Sequence, residues 1–224
     1  MSQFIPVYRG RLRNFMLEVP ECISKCSGIR VFGKTIKSLV FSTDVAIIRN
    51  CNADAVIAVY PFTPQPAITQ AVMQVAEMPV FAGVGGGLTQ GMRVINLAHH
   101  AEFQGAMGVV VNAPTQNDVV RQVVDEIDIP VVVTVVSEED DIAARIEAGA
   151  TILNISAAAK TPALVEKIRR EYPELAIIAT GGPTDESIEQ TIAAGANAIT
   201  WTPPSNGKVF KDIMDAYRKG NPHP

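Results

Sequence analysis

The chain has 224 residues, 47% of them hydrophobic and only 6% aromatic, and its formal net charge is −4. Proteins that bind mainly nucleic acid concentrate positive charge on one face, so this acidic balance excludes that class. No apolar run approaches the roughly 20 residues that cross a bilayer, and the N-terminus lacks the apolar core of a signal peptide. We therefore expect a cytoplasmic protein with no nucleic-acid or membrane partner.

From residue 38 onward, short β-branched segments alternate with longer Ala-rich segments that have helical spacing. In chain order this pattern predicts strands at Ser38–Ser42, Asp54–Tyr60, Pro79–Val84, Ala106–Asn112, Pro130–Val136, Thr151–Ser156, Ala176–Thr180 and Ala196–Trp201. After the second strand, it predicts helices at Pro66–Glu77, Gln90–Gln104, Gln116–Glu126, Glu138–Ala148, Pro162–Glu171, Thr184–Ala194 and Lys208–Arg218. The first crossover is the shortest, because Asp44–Asn52 leaves room for only about two helical turns.

Eight strands joined by helices can form an open doubly wound sheet or a closed barrel. The strands are regularly spaced and eight is the number that closes, so we predict a single (β/α)8 TIM barrel over residues 38–224. Residues 1–37 precede the alternation and are predicted to form an N-terminal extension, a helix plus an irregular segment, packed on the barrel. The chain has no Ser/Gly-rich linker that would separate a second domain.

A pair of glycines follows the third strand and another follows the seventh, which indicates two equivalent half-barrels. Glycines between a strand end and a helix start leave backbone N–H groups and the positive helix end open to an anion. The recurrent phosphate site of such barrels follows strands seven and eight. We therefore predict a phosphate site built from Gly181, Gly182, Thr184 and Thr202. The alternative, that Gly181-Gly182 is only a tight turn, stays open.

The segment AIIATGGPTDESIEQTIAAGANAITW, residues 176–201, resembles the strand 7–helix 7–strand 8 segment of the ribulose-phosphate-binding barrel superfamily. That superfamily includes keto-deoxy-phosphogluconate aldolase and the half-barrel-duplicated enzymes of histidine biosynthesis. The resemblance implies a ligand phosphate on Gly181 and Gly182, and a second phosphate after the third strand, where Gly86 and Gly87 stand. It does not transfer one member's reaction, because the sixth strand lacks the aldolase lysine and the fifth lacks the carboxylate of the histidine enzymes.

Polar side chains at the carboxyl ends of the strands supply the rest of the candidate site, since active sites of barrels lie there. Strand alternation places Asn154 and Ser156 on one face of the sixth strand. Together with Gly86, Gly87 and Asn112, they form a predicted second anion or substrate site. A mouth rich in hydroxyls and amides suits ligand binding better than strong acid–base chemistry.

Asp44 and Lys160 are the candidate catalytic residues, a general base and a cation able to stabilise an enolate. Asp44 follows the first strand and Lys160 the sixth, so in a closed ring they would flank the phosphate site from opposite sides. Each has a plainer alternative. Asp44 could be a helix N-cap, and Lys160 could be a solvated loop charge.

These expectations favour a lyase or isomerase that acts without a cofactor on a small phosphorylated sugar-like or keto-acid metabolite. The preference for an enzyme rests on how this fold is mostly used. We predict no metal site, because no inward cluster of His, Cys or paired acids is evident. We also expect a homo-oligomer. The alternative function is a non-catalytic metabolite sensor that resembles the glycerol-phosphate-responsive antiterminator barrels, favoured by the few acids and bases at the mouth.

Overall fold

The computed structural model describes residues 6–8, 10 and 16–222, so part of the predicted N-terminal extension lies outside the described residues. Two short strands, β1 (Ile29–Val31) and β2 (Lys34–Ile36), pair antiparallel ahead of the barrel. The barrel strands are β3 (Ser38–Phe41), β4 (Ala55–Ala58), β5 (Val80–Gly85), β6 (Gly108–Val111), β7 (Val131–Val135), β8 (Ile152–Ile155), β9 (Ala176–Thr180) and β10 (Ala198–Trp201). They are parallel and close in the order β10-β3-β4-β5-β6-β7-β8-β9, which confirms the predicted TIM barrel.

Helices follow the strands as α1 (Val45–Arg49), α2 (Pro66–Val75), α3 (Met92–Phe103), α4 (Asn117–Glu126), α5 (Ile142–Glu147), α6 (Thr161–Glu171), α7 (Asp185–Ala193) and α8 (Asn206–Arg218). Short 3-10 helices lie at Glu21–Lys25 and Ala158–Lys160. The predicted start of the fifth helix at Glu138 was wrong. The Asp140 carboxylate accepts hydrogen bonds from the backbone of Val136 and Ser137, which holds a turn there, and Asp141 then caps α5.

The strands read as continuous apolar runs because a barrel strand is covered on both faces, by the interior and by the helices. Every residue of β4, β6, β7 and β8 is buried. The β1–β2 hairpin closes the amino-terminal end of this barrel, since Val31 and Ile36 join the same buried cluster as interior residues such as Leu39 and Phe81. The opposite end, where the strands terminate, stays open and positions the candidate site.

The outer layer is uneven at its last helix. No residue of α8 is buried. By contrast, Cys22 and Ile23 of the first 3-10 helix are buried in a cluster that includes Ile188 of α7, and Lys25 forms an ion pair with Glu189. The segment ahead of the hairpin therefore covers the barrel beside α7. Of the helices in the described part of the chain, none is long and apolar enough to cross a membrane.

Candidate functional site

A cavity of about 290 Å³, called here the mouth cavity, opens at the carboxyl ends of the barrel strands. Its lining is aliphatic or aromatic on one side and carries hydroxyls and amides on the other: Phe41, Ile57, Val59, Asn112, Thr134, Asn154, Ser156, Thr180, Thr200 and Thr202. None of these residues is an acid, a lysine, an arginine or a histidine. The mouth cavity is therefore polar but uncharged.

Parallel register brings the polar groups of the mouth cavity to a common level. Thr134 on β7 lies opposite Asn154 on β8, and the Asn154 amide Nδ2 donates a hydrogen bond of 3.3 Å to the Thr134 hydroxyl. Thr180 on β9 likewise lies opposite Thr200 on β10. Four neighbouring strands thus present an amide and three hydroxyls to one space.

Two of these polar side chains are almost fully buried and incompletely hydrogen-bonded. Asn154 is 8% exposed and Thr200 is 7% exposed, and neither Asn154 Oδ1 nor Thr200 Oγ1 has a partner among the described residues. A buried polar atom left without a partner costs about 1–3 kcal/mol. Native proteins keep few such atoms, and each calls for an explanation such as a functional role or a bound water or ion. Both atoms point to a ligand in the mouth cavity.

A second cavity of about 470 Å³, called here the side cleft, adjoins the mouth cavity after β4 and β5. Val59 and Asn112 line both spaces. The other residues around the side cleft are mostly aromatic or aliphatic side chains and glycine backbone: Tyr60, Pro61, Phe62, Thr63, Pro64, Gly83, Gly85, Gly86, Gly87, Leu88 and Thr89. The two cavities therefore lie side by side, with Val59 and Asn112 between them.

Gly86 and Gly87, predicted as an anion site, form a tight turn in the wall of the side cleft. The Gly86 N–H donates to the Thr89 carbonyl at 3.0 Å, so it is not free for a ligand. Gly86 has φ +117°, and a Cβ there would lie 2.4 Å from the Cβ of Asn112. This glycine therefore allows β5 and Asn112 to approach each other closely. The turn needs a glycine at this position whether or not an anion binds.

The start of α7, predicted as the phosphate site, already has internal partners. The Thr184 hydroxyl accepts from the Ser187 N–H and the Ser187 hydroxyl accepts from the Thr184 N–H, a complete capping box. The Glu186 backbone N–H and the Thr184 hydroxyl hold the pKa of the Glu186 carboxyl below its ordinary value. A phosphate at this helix start would have to displace that carboxylate. Of the predicted phosphate residues, Thr202 lines the mouth cavity, whereas Gly181, Gly182 and Thr184 line neither cavity.

The two predicted catalytic residues lie outside both cavities. Asp44 caps α1, since its Oδ1 accepts from the backbone N–H groups of Ala46 and Ile47 at 2.9 and 3.2 Å. The Lys160 side chain is 75% exposed, and its Nζ lies 3.7 Å from Glu138 Oε1. In the structure Asp44 is thus a helix cap and Lys160 a solvated loop charge, the alternative stated for each. The two side chains do not come together around the mouth.

The cysteines supply no obvious nucleophile. Cys22, Cys26 and Cys51 are all buried free thiols. Burial raises the pKa of Cys26 to about 11, so its thiol stays protonated near neutral pH.

Several residues of the site were absent from the predicted set. Thr134, Thr180 and Thr200 lie near the carboxyl ends of their strands, so the sequence already placed them at the mouth, but it gave no reason to choose them over the other polar residues there. Phe62 and Leu88 had no comparable signal, because they lie in loops whose path depends on the closed barrel.

No family model matches the chain, and no curated protein matches it. Solved structures do match. A phosphoenolpyruvate phosphomutase from Streptomyces platensis subsp. rosaceus has a TM-score of 0.61 at 14% identity, covering 82% of this chain and 83% of that one. A phosphonopyruvate hydrolase in complex with oxalate and Mg²⁺ has a TM-score of 0.60 at 13% identity, covering 82% and 83%. A 2,3-dimethylmalate lyase, a member of the PEP mutase/isocitrate lyase superfamily, has a TM-score of 0.63 at 13% identity, covering 88% and 84%. These likenesses show the fold.

The narrower resemblance to ribulose-phosphate-binding barrels is not what these comparisons give, since the three structures described above are a mutase, a hydrolase and a lyase of the PEP mutase/isocitrate lyase superfamily. The glycine pair that suggested it has a packing explanation. A Cβ on Gly181 would lie 2.7 Å from side-chain carbons of both Ile188 and Ile199. Gly182 has φ +82°, a conformation that favours glycine. This corner is therefore required by the barrel, with or without a phosphate.

One matching structure holds Mg²⁺, a hard cation that prefers carboxylate, carbonyl and water oxygens. In the part of the chain that the structure describes, no carboxylate lines the mouth cavity or the side cleft. The described residues also contain no group of three or more His, Cys, Asp or Glu side chains that could hold a metal. The residues of this site therefore do not fit a divalent cation.

Proposed function

We propose that this barrel is an enzyme of the lyase or isomerase class that acts on a small keto-acid or phosphorylated metabolite in the mouth cavity. The observation that carries the proposal is the pair of buried oxygens without partners, Asn154 Oδ1 and Thr200 Oγ1. The mutase, hydrolase and lyase barrels of similar fold support it by analogy.

The two oxygens favour a particular kind of ligand. The Asn154 amide oxygen can only accept a hydrogen bond, whereas the Thr200 hydroxyl can donate one. A compound with a hydroxyl near a carbonyl would satisfy both. Hydroxyl and amide donors aimed at a carbonyl oxygen also stabilise negative charge that develops there when a bond to the neighbouring carbon breaks. An uncharged mouth therefore suits reactions that pass through an enol or enolate.

A phosphate group on the ligand would lie at the rim of the mouth, beside Thr202 and the starts of α7 and α8. Thr202 lines the mouth cavity, and the Ser205 hydroxyl caps α8 a few residues later. This part of the proposal requires Glu186 to move away from the start of α7.

Incubation with a panel of keto acids, hydroxy-keto acids and phosphorylated metabolites tests the function, with proton and phosphorus NMR to detect new products. We expect one class to be converted by the wild-type protein and not by Asn154→Leu, because leucine removes both the amide donor and the acceptor. Circular dichroism of the variant verifies that it folds. Binding without conversion would favour the metabolite sensor. The absence of both binding and conversion would contradict the proposal.

A further inference from the structure

We propose that the side cleft binds an apolar extension of the same ligand, so that the substrate is a keto or hydroxy-keto acid with an aromatic or aliphatic tail. This inference rests on the proposed function for the polar end of the ligand. It adds a binding site for the tail and a substrate class that the mouth cavity alone does not specify.

The walls of the side cleft expose large apolar side chains. Phe62, in the loop after β4, is 73% exposed, and Leu88, in the turn after β5, is 99% exposed. Apolar surface in water costs about 25 cal/mol for each Å² that could instead be buried. Two large apolar groups around one concave space therefore indicate a surface that a ligand covers.

The side cleft also lacks charge. Among the described residues, its lining contains no acid, lysine, arginine or histidine, and its polar side chains are those of Tyr60, Thr63, Thr89 and Asn112. The Tyr60 hydroxyl accepts a hydrogen bond of 2.8 Å from the Gln65 N–H, which ties down the loop that carries Phe62. An uncharged extension can enter this space without desolvating a charged group.

Part of the side cleft is backbone without side chains. Gly83, Gly85, Gly86 and Gly87 line it, and the pairing of β5 with β6 shifts register between Gly83 and Gly85. At Gly87 nothing lies within 4 Å of where a Cβ would stand, so a flat group can approach the backbone there. A planar ring or an extended acyl chain fits such a surface better than a branched group.

The side cleft adjoins the mouth cavity, and the occupant we assign to both is one small molecule. Val59 and Asn112 line both spaces, and the mouth holds the buried Asn154 and Thr200 oxygens without partners. The side cleft alone, at about 470 Å³, is within the usual range for small-molecule sites. A ligand anchored at the barrel axis by its carbonyl would extend its tail past Asn112 into the side cleft.

Calorimetric titration with pyruvate and phenylpyruvate tests this inference, because the two compounds share a keto-acid end and differ by a phenyl group. We expect the wild-type protein to bind phenylpyruvate at least tenfold more tightly. Phe62→Ala and Leu88→Ala should each reduce that ratio to about threefold or less without changing the affinity for pyruvate. Phe103→Ala is the matched control, because Phe103 is 80% exposed on α3 and lines neither cavity. It should leave both affinities unchanged.

Equal affinity of the wild-type protein for the two compounds would overturn the inference. An equal loss of affinity for phenylpyruvate in Phe62→Ala and Phe103→Ala would also overturn it. If neither keto acid binds, the proposed function fails for this class, and anilinonaphthalene sulfonate then tests the side cleft by itself. Fluorescence enhancement that falls severalfold in Phe62→Ala and Leu88→Ala, but not in Phe103→Ala, would support the side cleft as an apolar site. Enhancement unaffected by the first two variants would overturn it.

Discussion

Near the carboxyl ends of the barrel strands, some residues serve the fold and others do not. Asp44 and Thr184 cap helices, and Gly86 permits a close approach between neighbouring strands. Asn154 and Thr200 instead keep oxygens that the fold leaves unpaired. A buried oxygen that the fold leaves without a partner can bind a ligand, and that is the use we assign to these two.

The glycine pair after β5 gives a prediction at this scale. Gly86→Ala should lower the free energy of unfolding by about 2–4 kcal/mol, because alanine combines a positive φ with overpacking against Asn112. Gly87→Ala should cost only about 1 kcal/mol, because at φ +58° a Cβ there meets nothing within 4 Å. Urea unfolding of both variants measures the difference. Equal losses of stability in the two variants would show that the close approach to Asn112 is not what makes glycine necessary at position 86.

At the scale of elements, strands were predictable wherever turn residues bounded an apolar run. Strand β9 begins at Ala176 and ends at Thr180 as predicted, because Gly181-Gly182 follows it. The start of α5 was not predictable from acidic composition, since the decisive contact is the Asp140 side chain on the backbone behind it. The side cleft could not be predicted either, because its walls are loops whose positions follow from closure of the barrel.

The β1–β2 hairpin was missed because its strands are three residues long and its turn is atypical. Phe32-Gly33 connects them, with φ +45° and +82°. Two-residue hairpin turns with both φ values positive favour Asn-Gly, because asparagine tolerates this conformation better than phenylalanine does. The sequence therefore carried no standard signal for a hairpin at this position.

The same turn supplies a prediction at the scale of an element. Phe32→Asn should raise the free energy of unfolding by about 1 kcal/mol, because it relieves strain and removes an exposed aromatic ring. Thermal or urea unfolding of the purified variant gives the value. A loss of stability would mean that the Phe32 ring makes contacts worth more than the strain of its backbone.

The whole molecule is a barrel with one closed end and one open end. The hairpin fills the amino-terminal end with apolar side chains, while the carboxyl ends of the strands surround an uncharged polar cavity with an apolar cleft beside it. The closed end is filled by packing, and the open end holds the polar groups that packing does not need. Association with further copies of the chain stays a prediction. The exposed α8 is one surface on which to look for it.

The most direct test of the mouth as a ligand site compares Thr200→Val with Thr191→Val. Both threonines are buried, but the Thr191 hydroxyl donates to the Ser187 carbonyl at 2.9 Å, whereas Thr200 Oγ1 has no partner among the residues that the structure describes. The measurement is urea unfolding and phenylpyruvate affinity for each variant. Thr191→Val should lose about 1 kcal/mol of stability and keep its affinity.

Thr200→Val should keep or gain up to about 1 kcal/mol of stability and lose about tenfold in affinity, because the removed hydroxyl serves only the ligand. The opposite pattern for Thr200→Val, a loss of stability with unchanged affinity, would contradict the account.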